Sequence, residues 1–338
     1  MTHKEIVKYV EGLVCPVYLV GGSVRDELMG VDPKDYDFTT PLPPDEIENR
    51  IRKAQRRPYL VGKKFGTLGV KVDGRMVEIT TFRKEKYITG SRKPQVEFVN
   101  NITADLSRRD FTMNAIAKRG NRYIDPFGGS RDIEKQLIRA VGNPTSRFRE
   151  DPLRLLRAAR FASQLGFHVD AKTEDCAKKV NYKILGVSKE RWVGEIDKLL
   201  LSYKPSRGLS FLDRTEVLNY ILPELSVQVD YDQNNKWHNR DLWEHTLTAL
   251  DAYSSVCDSL DIEVAWALLL HDIAKPFVRV HKLDRSTYVH HEALGKEFVL
   301  KLGTYLRWSN KRIKSVSDLV LNHLMDDSVL RKYDNFAK

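Results

Sequence analysis

The chain has 338 residues, 41% hydrophobic and 30% charged, enough for about two domains of roughly 100–200 residues each and for a sizeable core. Its longest apolar run, Val264 to Leu270, falls well short of the roughly 20 residues a spanning helix needs, and MTHKEIVKYVEG carries charges where a signal peptide has its apolar core. Neither membrane insertion nor secretion is expected, and three scattered cysteines (Cys15, Cys176, Cys257) without a CxxC suit a reducing cytoplasm.

Lys and Arg outnumber Asp and Glu by 56 to 46, a net charge of +10, which favours nucleic acid, nucleotides or anionic lipid as partners. The excess is clustered. Arg139 to Arg160 holds six arginines against two acids, and Arg50 to Arg57 carries five basic residues. Solvated helix faces account equally well for such runs.

In chain order, VYLVGG, YDFTT, YLVGKKFGTLGVKV, MVEITTF and QVEFV read as strands, rich in β-branched and aromatic residues and bounded by Gly, Pro and Asp. SVRDELMG and IEKQLIRAVG read as helices. Beyond about residue 145 the apolar spacing turns to i, i+3, i+4, which predicts helices over Asp151–Gly166, Lys189–Tyr203 and Leu209–Leu222. The polar run DYDQNNKW, Asp230 to Trp237, reads as a linker into a histidine-bearing helical end. The expected domains are 1–140, 141–229 and 230–338.

Chemistry concentrates first in YLVGGSVRDELMG and KDYDFTT. Gly21 and Gly22 let the backbone approach phosphate oxygens, Ser23 suits a helix N-cap, and Arg25 offers a cationic fork to a triphosphate. Asp35 and Asp37 stand at i and i+2, so both carboxylates leave one face of a strand, with Cα atoms about 6.6 Å apart. Glu78, alternating with apolar neighbours in MVEIT, is a third acid. Such a set suits Mg²⁺-dependent phosphoryl or nucleotidyl transfer, although Asp35 could also stay solvated beside Lys34.

These residues belong to a longer series. LVGGSVRD, KDYDFTT, EITTFRKEKY, DLSRRDFTMNAIA, DPFGGSRDI and EDPLRLLRAARF resemble, in order, the motifs of class II tRNA nucleotidyltransferases, the bacterial CCA-adding and poly(A) polymerase family. The resemblance covers about residues 15 to 225. It implies an α/β polymerase β-like nucleotidyltransferase head followed by an all-α neck and body, and addition of C, C and A to the tRNA 3′ end from CTP and ATP without a template. It also implies Asp35 and Asp37 as Mg²⁺ ligands with Glu78 beside them, and Gly22 and Arg25 at the phosphates. Arg109 and Asp110 would hold triphosphate and ribose, although a structural Arg–Asp pair would suit RRD alone. DPFGGSRD reads as a structural turn.

In EDPLRLLRAAR the resemblance implies that Asp151 and Arg154 pair with the incoming base, with Arg157 and Arg160 orienting them or reaching phosphates. Taken alone, Asp151 before Pro152 also suits a helix N-cap, and Arg154, Arg157 and Arg160 also suit a salt-bridged surface stripe. A-adding and poly(A)-adding relatives share these motifs. TFRKEKYITGSRKPQVEFV resembles the flexible loop used in terminal A addition, which argues against CC-only addition.

At the end of the chain, His245 in WEHTL and His271-Asp272 in LLLHDIAKP resemble the HD phosphohydrolase motif, implying a helical HD-like domain. His291 and His323 fall near further ligand positions, and Asp326, Asp327 and Asp334 are candidates for a closing Asp. Imidazole donors suit Ni²⁺, Co²⁺ or Mn²⁺. An HD-type phosphohydrolase or phosphodiesterase is therefore the rival reading from another class.

Overall fold

The computed structural model describes residues 1–86, 95–234, 241–282 and 285–324. The chain divides into two compact units. One is Met1–Asp151 with His168–Thr173, and the other is Pro152–Phe167 with Glu174 onward.

The first unit runs α1 (His3–Leu13), β1 (Tyr18–Val20), α2 (Gly22–Leu28), β2 (Tyr36–Thr40), α3 (Pro44–Lys53), β3 (Pro58–Tyr59), β4 (Thr67–Val72) and β5 (Arg75–Thr81). It continues through β6 (Arg83–Lys86), β7 (Gln95–Phe98), α4 (Ile102–Ser107), β8 (Ala117–Arg119), β9 (Arg122–Ile124), α5 (Gly129–Glu134), β10 (Leu137–Ile138) and α6 (Pro144–Glu150). Seven strands form one sheet in the order β3-β4-β5-β2-β1-β8-β9, with β2 and β5 parallel and the other neighbours antiparallel. Alternation along β2 buries Tyr36 and Phe38 and leaves Asp37 half-buried between them. Ile6 and Val10 of α1, and Ile47 and Ile51 of α3, repeat at i, i+4 and are fully buried. Thr2 and Glu5 close α1 with a reciprocal capping box.

Three expectations change here. YLVGKKFGTLGVKV is not one strand: a 3₁₀ turn at Lys63–Phe65, ended by left-handed Gly66, separates β3 from β4. IEKQLIRAVG is helical only to Glu134; Gln136 turns to φ 52°, and Leu137–Ile138 pair in parallel with β11 (His168–Val169). Apolar residues four and five apart satisfied a helical pattern while belonging to two elements. Ser23 is not the N-cap of α2, a place taken by Gly21. Its hydroxyl donates instead to the Asp35 carbonyl at 2.8 Å and accepts from the Asp37 amide at 3.3 Å.

Helix α7 (Leu153–Leu165) opens the second unit, and α8 (Ala171–Val180) crosses into it. There follow α9 (Lys189–Leu200), α10 (Pro205–Arg214), and the short α11 (Leu218–Ile221) and α12 (Pro223–Ser226). Then come α13 (Leu242–Val256), α14 (Ile262–Leu270), α15 (His291–Tyr305) and α16 (Asn310–Asn322). Gly208 lets α10 approach α7, since a methyl there would collide with the Ala159 carbonyl and the Ser163 hydroxyl. The alternative of Asp151 as an N-cap gives way: Asp151 takes the C-cap position of α6, and Pro152 takes the N-cap position of α7.

The polar run from Asp230 is not a free linker over its described part. Gln233 is fully buried, accepts from Lys275 Nζ at 3.1 Å, and offers its carbonyl to the Tyr288 hydroxyl at 2.7 Å. Polar composition here serves buried donors rather than water. Among the described residues no helix is long and apolar enough to cross a membrane.

Candidate active site and candidate metal centre

The head site is built at the end of β1, where the chain leaves Val20 into Gly21 at φ 71°, ψ −137°. An L side chain rarely adopts that conformation. Space is tight as well: a methyl on Gly21 would lie 3.1 Å from Arg109 Nη1 and 3.5 Å from Asp37 Oδ2. One small volume therefore brings together a free-running backbone turn, a guanidinium and a carboxylate. Gly22, one residue on, lies within α2 against the Arg25 guanidinium.

The carboxylates converge by register. Asp37 stands opposite Val20 on β1 and opposite Glu78 on β5, so Asp37 and Glu78 share a face across one strand spacing of about 4.8 Å. Asp35 precedes β2 and is exposed, its carbonyl held by Ser23. Partial burial, and after it the charges of Asp37 and Asp35, push the Glu78 carboxyl above its ordinary range. An all-oxygen donor set in mutual repulsion fits a hard divalent cation such as Mg²⁺.

Arg109 faces this volume from the end of α4. Its Nη2 reaches Asp105 Oδ2 at 3.5 Å, and its Nε is buried without a hydrogen-bond partner among the described residues, a donor that an anion would satisfy. Asp105, fully buried, also accepts from the Arg83 amide at 3.2 Å and Arg108 Nε at 3.0 Å. Arg108 and Arg83 both reach Glu85 at 3.0 Å. The base of the β6–β7 ribbon is thereby tied to the helix that presents Arg109. Residues 87–94 of the expected flexible loop lie outside the described residues.

Arg25 is 9% exposed, with Nε and Nη2 on Asp26 and Nη1 on Asn114 Oδ1 at 2.9 Å. Nη1 thus ties α2 to the turn at Thr112–Asn114, while Nε and Nη2 stay within α2 on Asp26. Asp110 accepts from the Phe111 amide at 2.8 Å and from Asn114 Nδ2 at 3.1 Å. In DPFGGSRD, Asp125 caps α5 through Gly129 N and Ser130 N.

In the second unit Arg154 is buried on α7. Arg160 donates to Glu195 of α9 at 2.6 Å and to Gln164 at 3.0 Å, and lies 4.1 Å above the Phe161 ring. Arg157 stands 4.0 Å from the same carboxylate. Glu195, 7% exposed, thus anchors two arginines of the basic stripe.

The histidines form a second centre. His245 Nε2 and His271 Nε2 are 3.2 Å apart, as are His291 Nε2 and His323 Nε2. Asp272, 2% exposed, lies between the pairs: Oδ2 is 3.0 Å from His271, and Oδ1 is 3.3 Å from His291 and 3.6 Å from His323. Two three-residue groups share Asp272. His271, His291 and His323 each place Nδ1 2.7–2.8 Å from a backbone carbonyl three residues earlier. A carbonyl only accepts, so Nδ1 carries the proton and each Nε2 lone pair faces its neighbours and the carboxylate. Acceptors facing acceptors need a cation, and the nitrogen-rich set fits a transition metal. Lys275 Nζ, 2.8 Å from Asp272, supplies one positive charge. Asp326, Asp327 and Asp334 lie outside the described residues.

Comparisons with known proteins follow this layout. Family models match in succession: the poly A polymerase head domain over residues 17–139, the probable RNA and SrmB-binding site of polymerase A over 166–228, and the HD domain over 242–332. The chain is 40% identical over 236 residues to a CCA-adding enzyme of Pediococcus pentosaceus, covering 69% of this chain and 59% of that one. The chain belongs to the class II tRNA nucleotidyltransferase family. A CCA-adding enzyme of Geobacillus thermodenitrificans is 37% identical over 274 residues, 80% of this chain and 63% of the relative. The chain thus spans less than two thirds of the length of these curated relatives. Among solved structures, the Bacillus stearothermophilus CCA-adding enzyme in complex with CTP is similar over 95% of this chain and 77% of that one, with TM-score 0.65 and 29% identity. The Thermotoga maritima CCA-adding enzyme complexed with tRNA shares the fold at TM-score 0.60 and 20% identity, over 94% of this chain and 77% of that one.

Proposed function

We propose that this protein adds and repairs the 3′-terminal CCA of tRNA, using CTP and ATP and releasing pyrophosphate. The observation that carries the reading is the volume shared by Gly21, Arg109 and Asp37, with Glu78 in register beside it. A polymerising site needs a phosphate cradle next to a carboxylate cluster, and little else in a fold demands both. Asp35, Asp37 and Glu78 would hold the divalent ions, which when bound stabilise charge on the α-phosphate and the attacking oxygen. Arg109, aided by the open amides of the Gly21–Gly22 turn, holds the triphosphate in line with the primer's 3′-OH. Arg25 and Asp110 work through Asn114, shaping the turn behind the ribose.

Asp151 and Arg154 are assigned to the Watson–Crick edge of the incoming base. Asp accepts from the exocyclic amine that C and A share, whereas U and G present a carbonyl there. Arg157 and Arg160, held by Glu195, keep α7 rigid for that task. The β6–β7 ribbon and its tie to Arg109 support full CCA addition over CC-only activity. A-only and poly(A) addition remain rivals within the family. A cytoplasmic location accords with three free cysteines.

Replacing Asp37 tests the reading. Asp37→Asn should lose incorporation of both CTP and ATP while tRNA binding, spread over many basic residues, persists. Incorporation within tenfold of wild type would remove the metal assignment.

The lone pairs converging on Asp272 favour a second activity, metal-dependent hydrolysis of phosphate esters in the HD domain. His245, His271 and Asp272 would hold one Ni²⁺, Co²⁺ or Mn²⁺ ion, and Asp272, His291 and His323 a second.

A further inference from the structure

Beyond the two centres, the head carries a cavity of about 720 Å³ at the far end of β1. β1 runs from Tyr18 toward Gly21, and β8 runs the other way, pairing Ala117 with Val20 and Lys118 with Leu19. Arg119 therefore stands at the Tyr18 end, away from the turn that approaches Asp37. The cavity is lined by Glu11, Cys15, Tyr18, Arg119, Arg122 and Tyr123, among others. Its volume lies in the range of roughly 300–1,000 Å³ usual for small-ligand sites.

The lining has an unbalanced charge. Arg119 lies 5.6 Å above the Tyr18 ring and donates to Cys15 Sγ at 3.5 Å, both neutral partners. Arg122 is exposed, and its side chain makes no hydrogen bond or ion pair among the described residues. The one carboxylate of the lining, Glu11, accepts from the Gly120 amide at 3.1 Å. Arg50 donates from Nη1 to the Cys15 carbonyl at 2.8 Å and from Nε to Glu46 at 2.8 Å. Tyr123 is 44% exposed, with Lys118 Nζ 5.3 Å from its ring centroid and its hydroxyl donating to Glu27 at 3.2 Å.

We propose that this cavity binds a phosphate-bearing nucleotide, its phosphate on Arg119 and Arg122 and its base against Tyr18 or Tyr123. Two guanidinia beside two phenol rings match both halves of that ligand: planar donor forks take phosphate oxygens, and rings take a base by stacking. Two sources present this chemistry, a free mononucleotide or a nucleotide of bound RNA. The RNA source rests on the proposed function, whereas the mononucleotide source does not.

Cys15 is exposed in the lining and reports occupancy. With Cys176 and Cys257 changed to Ser, the labelling rate of Cys15 by a thiol reagent would be measured alone, with AMP, and with tRNA lacking its CCA end. Either ligand should slow labelling at least threefold, and Arg119→Glu with Arg122→Glu should abolish the protection. Protection by tRNA alone identifies the RNA source, and protection by AMP alone the free nucleotide. For the RNA source, the double variant should also flatten the salt dependence of tRNA binding by about 0.7 per lost single-strand phosphate contact. An unchanged labelling rate with tRNA bound, as read by anisotropy, and with AMP at millimolar level would overturn the proposal. So would protection that survives the double substitution. Nucleotide incorporation, assayed on the same samples, reports separately on the CCA-adding reading.

Discussion

Asp105→Asn isolates the support beneath Arg109. In the native head the carboxylate is fully buried and is met by Arg108 Nη2 at 2.9 Å, Arg108 Nε at 3.0 Å, the Arg83 amide at 3.2 Å and Arg109 Nη2 at 3.5 Å. Burial alone would push its pKa up, but Arg108 and Arg109 outweigh that and hold it below the ordinary value. Asparagine keeps the shape, removes the charge and turns an amide toward the arginines. Removing one partner of a buried ion pair costs about 3–5 kcal/mol. Both guanidinia keep 16% of their side-chain exposure, so water recovers part of the loss and about 3 kcal/mol is expected. At roughly 2–4 °C per kcal/mol for a unit of this size, the melting midpoint should fall by about 6–12 °C.

The sign with pH is fixed. A carboxylate whose folded-state pKa is depressed contributes stability above its unfolded value near 3.9, and loses it as pH falls through the folded value. Urea midpoints for wild type and variant should therefore stand apart at pH 7 and converge below about pH 4. With Arg109 loosened, KM for CTP and ATP should rise. A midpoint within 1 °C of wild type at pH 7, or a gap that stays constant into acid, would refute the reasoning.

Gly21→Ala should raise KM for both nucleotides and lower kcat by at least tenfold, because the methyl meets Arg109 and Asp37 in a left-handed conformation; steady-state kinetics checks it. Asp151→Ala or Arg154→Ala should relax discrimination against UTP and GTP by about 1–3 kcal/mol per lost base-edge contact, read from competitive incorporation. His271→Ala should leave CCA addition near wild type but remove one of two bound Co²⁺ ions, followed by visible absorption, together with any hydrolysis of 2′,3′-cyclic nucleotides. Native protein that binds none of Ni²⁺, Co²⁺ or Mn²⁺ would remove the HD metal reading.

Residues whose role follows from strand alternation or from a short local motif were legible. The placement of Asp37 and Glu78 is of this kind, since period two alone assigns their face, whereas Asp35 lies just before β2. His245, His271 and Asp272 were legible as a motif, but their closure with His291 and His323 depends on how α13, α15 and α16 pack. Asp105 and Glu195 were not legible as anchors, because an acid before RRD or within a helix has many uses until its arginine partners are placed. Ser23 was misread for a related reason. A hydroxyl at a helix start suits a cap, but here Asp35 and Asp37, brought up by the sheet, compete for it. Leu137–Ile138 shows the ambiguity of short apolar runs, where a parallel pairing with His168–Val169 overrides helical spacing.

The most direct test of the central claim is the product formed on tRNA that ends at the discriminator base, sequenced after incubation with CTP, ATP and Mg²⁺. The account predicts C, C and A in that order, with ATP alone extending only tRNA that ends in CC. Extension by A alone on every primer, or no extension of tRNA that anisotropy shows to be bound, would contradict it.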